Sequence, residues 1–169
     1  GDEGMSARPA WTQDFVERAV LDSFLGDINA LKPGNVHRFA GGHGMRYEDF
    51  LVSAQISTPI LCDPYLPLGE RCLGAIQATR TAVGGNTNLG MVLLFAPIIC
   101  AVQHGGTPES LQPAIGEVIT STHRSDVARI FAAIALANPG GLGRAPHHDV
   151  HREPDCSRLD AMSAAADRD

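Results

Sequence analysis

The sequence contains no run of basic residues: its 13 Lys and Arg are scattered, and 19 Asp and Glu leave a net charge of −6. That balance argues against a nucleic-acid binder, and a polyanionic ligand would have to be met by a local arrangement of groups. No stretch shows the two-residue alternation of a half-buried strand, and there is no internal repeat or low-complexity tract. The longest uncharged apolar stretch, Leu89 to Val102, is shorter than the roughly 18 to 20 residues a membrane-spanning helix needs, so no membrane segment is expected. Cys62, Cys72, Cys100 and Cys156 include no C-x-x-C pair and follow no signal peptide. A reduced, cytoplasmic setting with the thiols as small buried hydrophobes is the simplest expectation.

What is present suits one all-α domain of 169 residues, 44% of them hydrophobic, enough for a sizeable core. Residues 1–11, with Gly1 to Gly4 ahead of Met5, read as a disordered or tag-like lead. Residues 12–169 read as a single helical domain.

The organising stretch is Val83-Gly-Gly-Asn-Thr-Asn-Leu-Gly90, which runs directly into Met91 to Val102. A polar, glycine-punctuated turn feeding an uncharged segment predicts a central buried helix over about 89–103, wrapped on every side. Its first-turn N–H groups, around Asn88 to Met91, lack intrahelical partners and carry the positive end of the helix dipole, which suits a phosphate. The structural alternative is that Asn86 or Thr87 is only an N-cap and Gly84-Gly85 only a C-cap.

Around it, Phe15, Val16, Ala19, Val20, Phe24 and Ile28 space out an amphipathic helix from Thr12 to about Leu31, ended by Lys32-Pro-Gly-Asn-Val-His37. Further helices are expected over Tyr47 to Leu61 and Leu68 to Ala82. Thr107, as N-cap before Pro108 and Glu109, starts another that runs to Thr120, and Ser125 to Ala137 forms the next. A shaped loop, Asn138-Pro-Gly-Gly-Leu-Gly-Arg144, leads to His147-His-Asp-Val-His151 and an alanine-rich helix from Leu159 to Arg168. The histidines match no known metal motif.

Three stretches together resemble the triphosphoribosyl-dephospho-CoA synthase family: Lys32-Pro-Gly-Asn-Val-His37, Gly84-Gly-Asn-Thr-Asn-Leu-Gly90, and Asn138-Pro-Gly-Gly-Leu-Gly143 with His148-Asp-Val150. Tyr47-Glu-Asp-Phe-Leu51, Ser53-Ala54, Gly69-Glu70 and Ala78-Thr79 fall between them in the family's order. The resemblance implies an all-helical enzyme that joins the triphosphoribosyl part of ATP to 3′-dephospho-CoA and releases adenine, with Mg2+ beside the triphosphate. Asn35, His37, Asn88 and Leu89 depart from the citrate-lyase branch of the family, which leaves the acceptor open. The resemblance also implies chains longer than this one. Apolar surface exposed by a missing C-terminal part would drive self-association into a homo-oligomer.

On that footing Lys32, Gly34, Asn35, Asn86, Thr87, Asn88, Gly90 and His148 are the candidate nucleotide contacts, and Asp27, Asp49, Glu70 and Asp149 the candidate Mg2+ ligands. Asp149 or His37 is the candidate base, and Asp49 or Glu70 a carboxylate to steady a cationic ribose. Other readings are a transferase using a different acceptor, a catalytically inactive helical binding module and, more distantly, a metal-dependent hydrolase at His147, His148 and His151.

Overall fold

The structure, a computed structural model, describes residues 11–30 and 46–137. Among them it has six α-helices and no strand: α1 Gln13–Asn29, α2 Tyr47–Leu61, α3 Leu68–Val83, α4 Leu89–Gln103, α5 Leu111–Thr120 and α6 Arg124–Ala137. The all-α expectation holds. No helix among the described residues is long and apolar enough to cross a membrane.

Thr12 begins α1 as expected, its Oγ1 accepting from Phe15 N at 3.2 Å. Val16, Val20 and Phe24, four residues apart, form the buried line of this helix. Phe15 and Ala19, read from the sequence as part of that stripe, lie outside it. Phe15 is 52% exposed and stacks its ring on Trp11 at 5.1 Å instead. Phe24 meets Phe95 of α4 edge to face at 5.2 Å, an aromatic geometry that adds to the burial of both rings.

α3 shares the centre of the fold with α4. It lies against α2, α4 and α6 and buries Leu68, Cys72, Ala75, Ile76 and Thr79. It ends at Gly84, whose φ of 76° places it in the left-handed region while its N–H closes on Arg80 O at 2.8 Å, a C-cap that favours glycine. The chain then turns back into α4, so α3 and α4 run antiparallel. α4 packs on α1, α2, α3 and α5, but it is not wrapped all round. Leu94 on its outer side is 55% exposed, because the neighbouring helices cover only part of its circumference.

A second difference concerns α5. Thr107 does not start a continuous helix: Thr107 to Ser110 form a separate turn, with Thr107 N donating to Ser110 Oγ at 2.9 Å and Ser110 N to Thr107 Oγ1 at 3.3 Å. The helix proper begins at Leu111. The reciprocal bonds of Thr107 and Ser110 close one turn, so Thr107 is not the N-cap the sequence suggests.

One apolar cluster joins α1, α2, α3, α4 and α6. Cys62, Cys72 and Cys100 sit in it as buried thiols in no disulfide, as expected. Burial and the nearby Glu17 carboxylate push the Cys62 thiol up to about 12, and burial likewise raises Cys100. Neither is a thiolate nucleophile at neutral pH.

Candidate nucleotide site at the mouth of the apolar helix

The Gly84 to Asn88 turn is fastened from below by a ladder of hydroxyl groups. On α2, Asp49, Ser53 and Ser57 recur every fourth residue, so they share one face of the helix. Ser53 Oγ donates to Asp49 O at 2.5 Å and accepts from Thr87 Oγ1 at 2.6 Å. Ser57 Oγ lies 3.0 Å from Thr79 Oγ1 of α3, and both receive the Asn88 side-chain amide, at 2.7 Å and 3.4 Å. The turn is therefore held by α2 and α3 together.

The three polar residues of the turn divide their work. Asn86 is exposed, and its Oδ1 accepts from Leu89 N at 3.1 Å, capping the first turn of α4. Thr87 faces Ser53. Asn88 occupies the N-cap position of α4 but does not cap it. Its side chain turns into the core, 7% exposed, leaving Oδ1 as the buried side-chain atom without a partner among the described residues. An orphaned buried acceptor of this kind costs about 1–3 kcal/mol. Gly90 is exposed in the first turn of α4, and no atom of the described residues lies within 4 Å of where its Cβ would stand.

Asp49 stands at the outer end of the ladder. Its carboxylate accepts from Arg46 N at 2.8 Å and fixes the start of α2. Tyr47 Oη donates to Asn29 Oδ1 at 2.6 Å, tying the end of α1 to the start of α2. Asp27 and Asp49 each lie within two residues of that tie. Glu70 is not brought to the turn. It sits in the first turn of α3, at the opposite end from Thr79, and pairs with Arg129 at 3.5 Å on the surface. Among the described residues no three Asp, Glu, His or Cys side chains come close enough to hold a metal ion, so Asp27, Asp49 and Glu70 do not form a metal centre by themselves. One or two carboxylates completed by phosphate oxygens remain the arrangement that suits Mg2+. Lys32, Gly34, Asn35, His37, His148 and Asp149 lie outside the described residues, as do the loop from Asn138 to Arg144 and the helix expected from Leu159.

The described ends of the chain nevertheless indicate where those segments attach. Residues 31–45 leave from Ala30 and return at Arg46, on either side of the Asn29 to Tyr47 tie. Residues 138–169 leave from Ala137, and the neighbouring Leu136 carbonyl accepts from Arg80, one turn before Gly84. The attachment points of both outer motifs thus flank the ends of α2 and α3 that carry the turn.

At the other end of α3 and α4 lies a different kind of site. Arg71, 1% exposed, donates to Leu61 O at 3.0 Å, Leu66 O at 2.7 Å and Gln103 Oε1 at 2.5 Å. Its guanidinium ties the end of α2 and the connector that follows to α4. It borders a cleft of about 320 Å³ that also includes Tyr65, Cys100, His104, Ser121 and Asp126. The Asp126 carboxylate is engaged by Gly69 N at 2.9 Å, at the positive end of α3. Two opposite charges, each satisfied within the fold, make this end a structural clasp.

Sequence reasoning named Ser53 and Thr79 only as part of the family's order, without a bonding role for either, and did not single out Ser57 or Arg71. The signal that marks Ser53 and Ser57 is a hydroxyl or an acid at every fourth position of α2, on a side otherwise buried. Comparisons with curated proteins and with solved structures found no match. A comparison with protein families matches residues 13–169 to the CitG family, described as ATP:dephospho-CoA triphosphoribosyl transferase. That match covers nearly the whole chain, including every element of the ladder, the turn and both outer motifs, and the chain belongs to this family of triphosphoribosyl transferases.

Proposed function

We propose that the chain holds ATP by its triphosphate at the mouth of α4 and transfers the triphosphoribosyl group to 3′-dephospho-CoA. The acceptor hydroxyl oxygen attacks C1′ of the ATP ribose, the bond from C1′ to the adenine nitrogen breaks, and adenine departs. The acceptor's proton passes to His37 or Asp149, and the departing adenine nitrogen takes up one proton, so that neutral adenine leaves and none is gained or lost overall. The observation that carries this reading is the convergence of the chain: a secured helix N-terminus lies beside the attachment points of both segments that bear the remaining family motifs.

Each group has a physical reason for its role. The first-turn N–H groups of α4 beyond Leu89, whose own N–H is capped by Asn86, face negative charge at the positive end of a helix dipole, with the Asn86 to Gly90 backbone beside them. Lys32, Gly34, Asn35 and His148 complete the nucleotide contacts from the outer segments. Asp49 lies on the same face of α2 as Ser53 and Ser57, where a carboxylate offsets the positive charge that builds on ribose as the base leaves. Mg2+, with Asp27 or Asp49 as protein ligand, would neutralise triphosphate charge when bound.

The test is to incubate the protein with ATP and Mg2+, with and without dephospho-CoA, and measure free adenine and product mass. Acceptor-dependent adenine release with a triphosphoribosyl adduct of dephospho-CoA supports the proposal. Adenine release with a different ribosylated product would assign another acceptor. No adenine under any condition contradicts the reaction.

A further inference from the structure

Buried hydroxyls in helices commonly bond back to a carbonyl of their own helix, as Thr58 does to Ala54 O at 2.7 Å. Ser57 and Thr79 do otherwise. From two different helices they lie 3.0 Å apart, and both accept the amide of Asn88 across the interface. Ser57, Thr79 and Asn88 are all buried, and the amide lies with its N–H2 end toward the two hydroxyls. With the N–H2 end directed at the hydroxyl pair, the carbonyl end is the one left without a partner.

We infer that Ser57 and Thr79 are positioning residues that orient Asn88 so that its Oδ1 takes a hydrogen bond from the sugar or base of the nucleotide. This rests on the proposal that ATP binds at the mouth of α4. A carbonyl oxygen accepts hydrogen bonds and repels an anion, so Asn88 reads a ribose hydroxyl or the adenine amino group and leaves the phosphates to the backbone N–H groups. The site then separates two tasks. The helix entrance holds negative charge, and the amide one residue before it distinguishes a nucleoside from a bare polyphosphate.

The experiment compares Mg-ATP with Mg-tripolyphosphate, which carries charge but no sugar or base, by calorimetric titration of the full chain. Thr79→Val keeps the shape and removes the hydroxyl, Thr79→Ser restores it, and Ser57→Ala removes the other partner. Thr79→Val is expected to weaken ATP at least tenfold and tripolyphosphate less than twofold, with Thr79→Ser within twofold of the parent for both. KM for ATP should rise in Thr79→Val with kcat changed less than twofold. The Asn88 side-chain amide pair of the parent, assigned by its loss in Asn88→Ser, should shift with ATP and stay in place with tripolyphosphate. Equal weakening of both ligands means a merely structural role and overturns the inference, as does ATP binding by Thr79→Val within twofold of the parent. Should Ser57→Ala fail to fold, the Thr79 pair and the amide spectrum of the parent decide. A parent that binds neither ligand removes the proposed function and this inference together, whereas a parent that binds ATP with unresponsive variants removes only the inference.

Discussion

Gly69 and Asp126 are packed so closely that no side chain fits between them. Gly69 N donates to Asp126 Oδ1 at 2.9 Å, and a Cβ built on Gly69 would stand 2.6 Å from both the Cα and the carbonyl oxygen of Asp126. Backbone atoms cannot step aside as the end of a flexible side chain can. Gly69→Ala is therefore expected to force α3 away from α6 and destabilise the fold by about 1–3 kcal/mol. Denaturant unfolding followed by circular dichroism checks this. An alanine variant as stable as the parent would mean that the two helices are not held at this distance.

Alkaline pH should loosen the core through its thiols. The Cys62 thiol is raised from 9.0 to about 12 in the fold, and Cys100 is raised in the same direction. Between pH 9 and 12 the unfolded chain releases the Cys62 proton while the folded chain keeps it, so the folded state binds more protons and stability falls with rising pH. The stabilisation is fully present below pH 9 and is lost toward 12. The slope contributed by one such thiol approaches about 1.4 kcal/mol per pH unit. Cys62→Ala should flatten the decline relative to the parent in unfolding curves measured across this range, and an unchanged slope would contradict the burial argument.

Asn86 is the turn residue whose substitution separates binding from folding. It is exposed and its structural part is one cap bond to Leu89 N, so Asn86→Ala should cost about 0.5–2 kcal/mol of stability. Its effect on Mg-ATP affinity should be much larger, at least tenfold, with the helical circular dichroism retained. Lys32→Ala should weaken ATP in the same way, through lost charge. Parent-like affinity in both variants would remove the phosphate cradle from the account.

The fold and the site were legible in the sequence to different depths. Helical periodicity placed α1, α2, α3 and α6 to within a residue or two at every described end, because the buried lines of these helices and the residues that bound them are local features. Uncharged α4 reads as central from its composition and does pack on four other helices. The same composition did not reveal that α3, with Glu70, Arg71 and Arg80 in it, shares the centre, because Arg71 is satisfied there by carbonyls and an amide from other elements. The turn at Asn86 to Gly90 was visible as a motif. Its fastening to Ser53, Ser57 and Thr79 was not, since those bonds span between 9 and 34 residues of sequence. Glu70 was read as an available acid, but a partner on another helix, Arg129, occupies it.

The central claim is that the nucleotide's phosphates sit at the mouth of α4, and paramagnetic broadening by Mn-ATP tests it most directly. In a two-dimensional amide spectrum the account predicts selective loss of the Asp49, Thr87, Asn88, Leu89 and Gly90 signals, with His104 and Ser121 at the other end of the molecule remaining sharp. Broadening centred on His104, Ser121 and the Arg71 cleft, or none beyond that caused by free Mn2+, would contradict it.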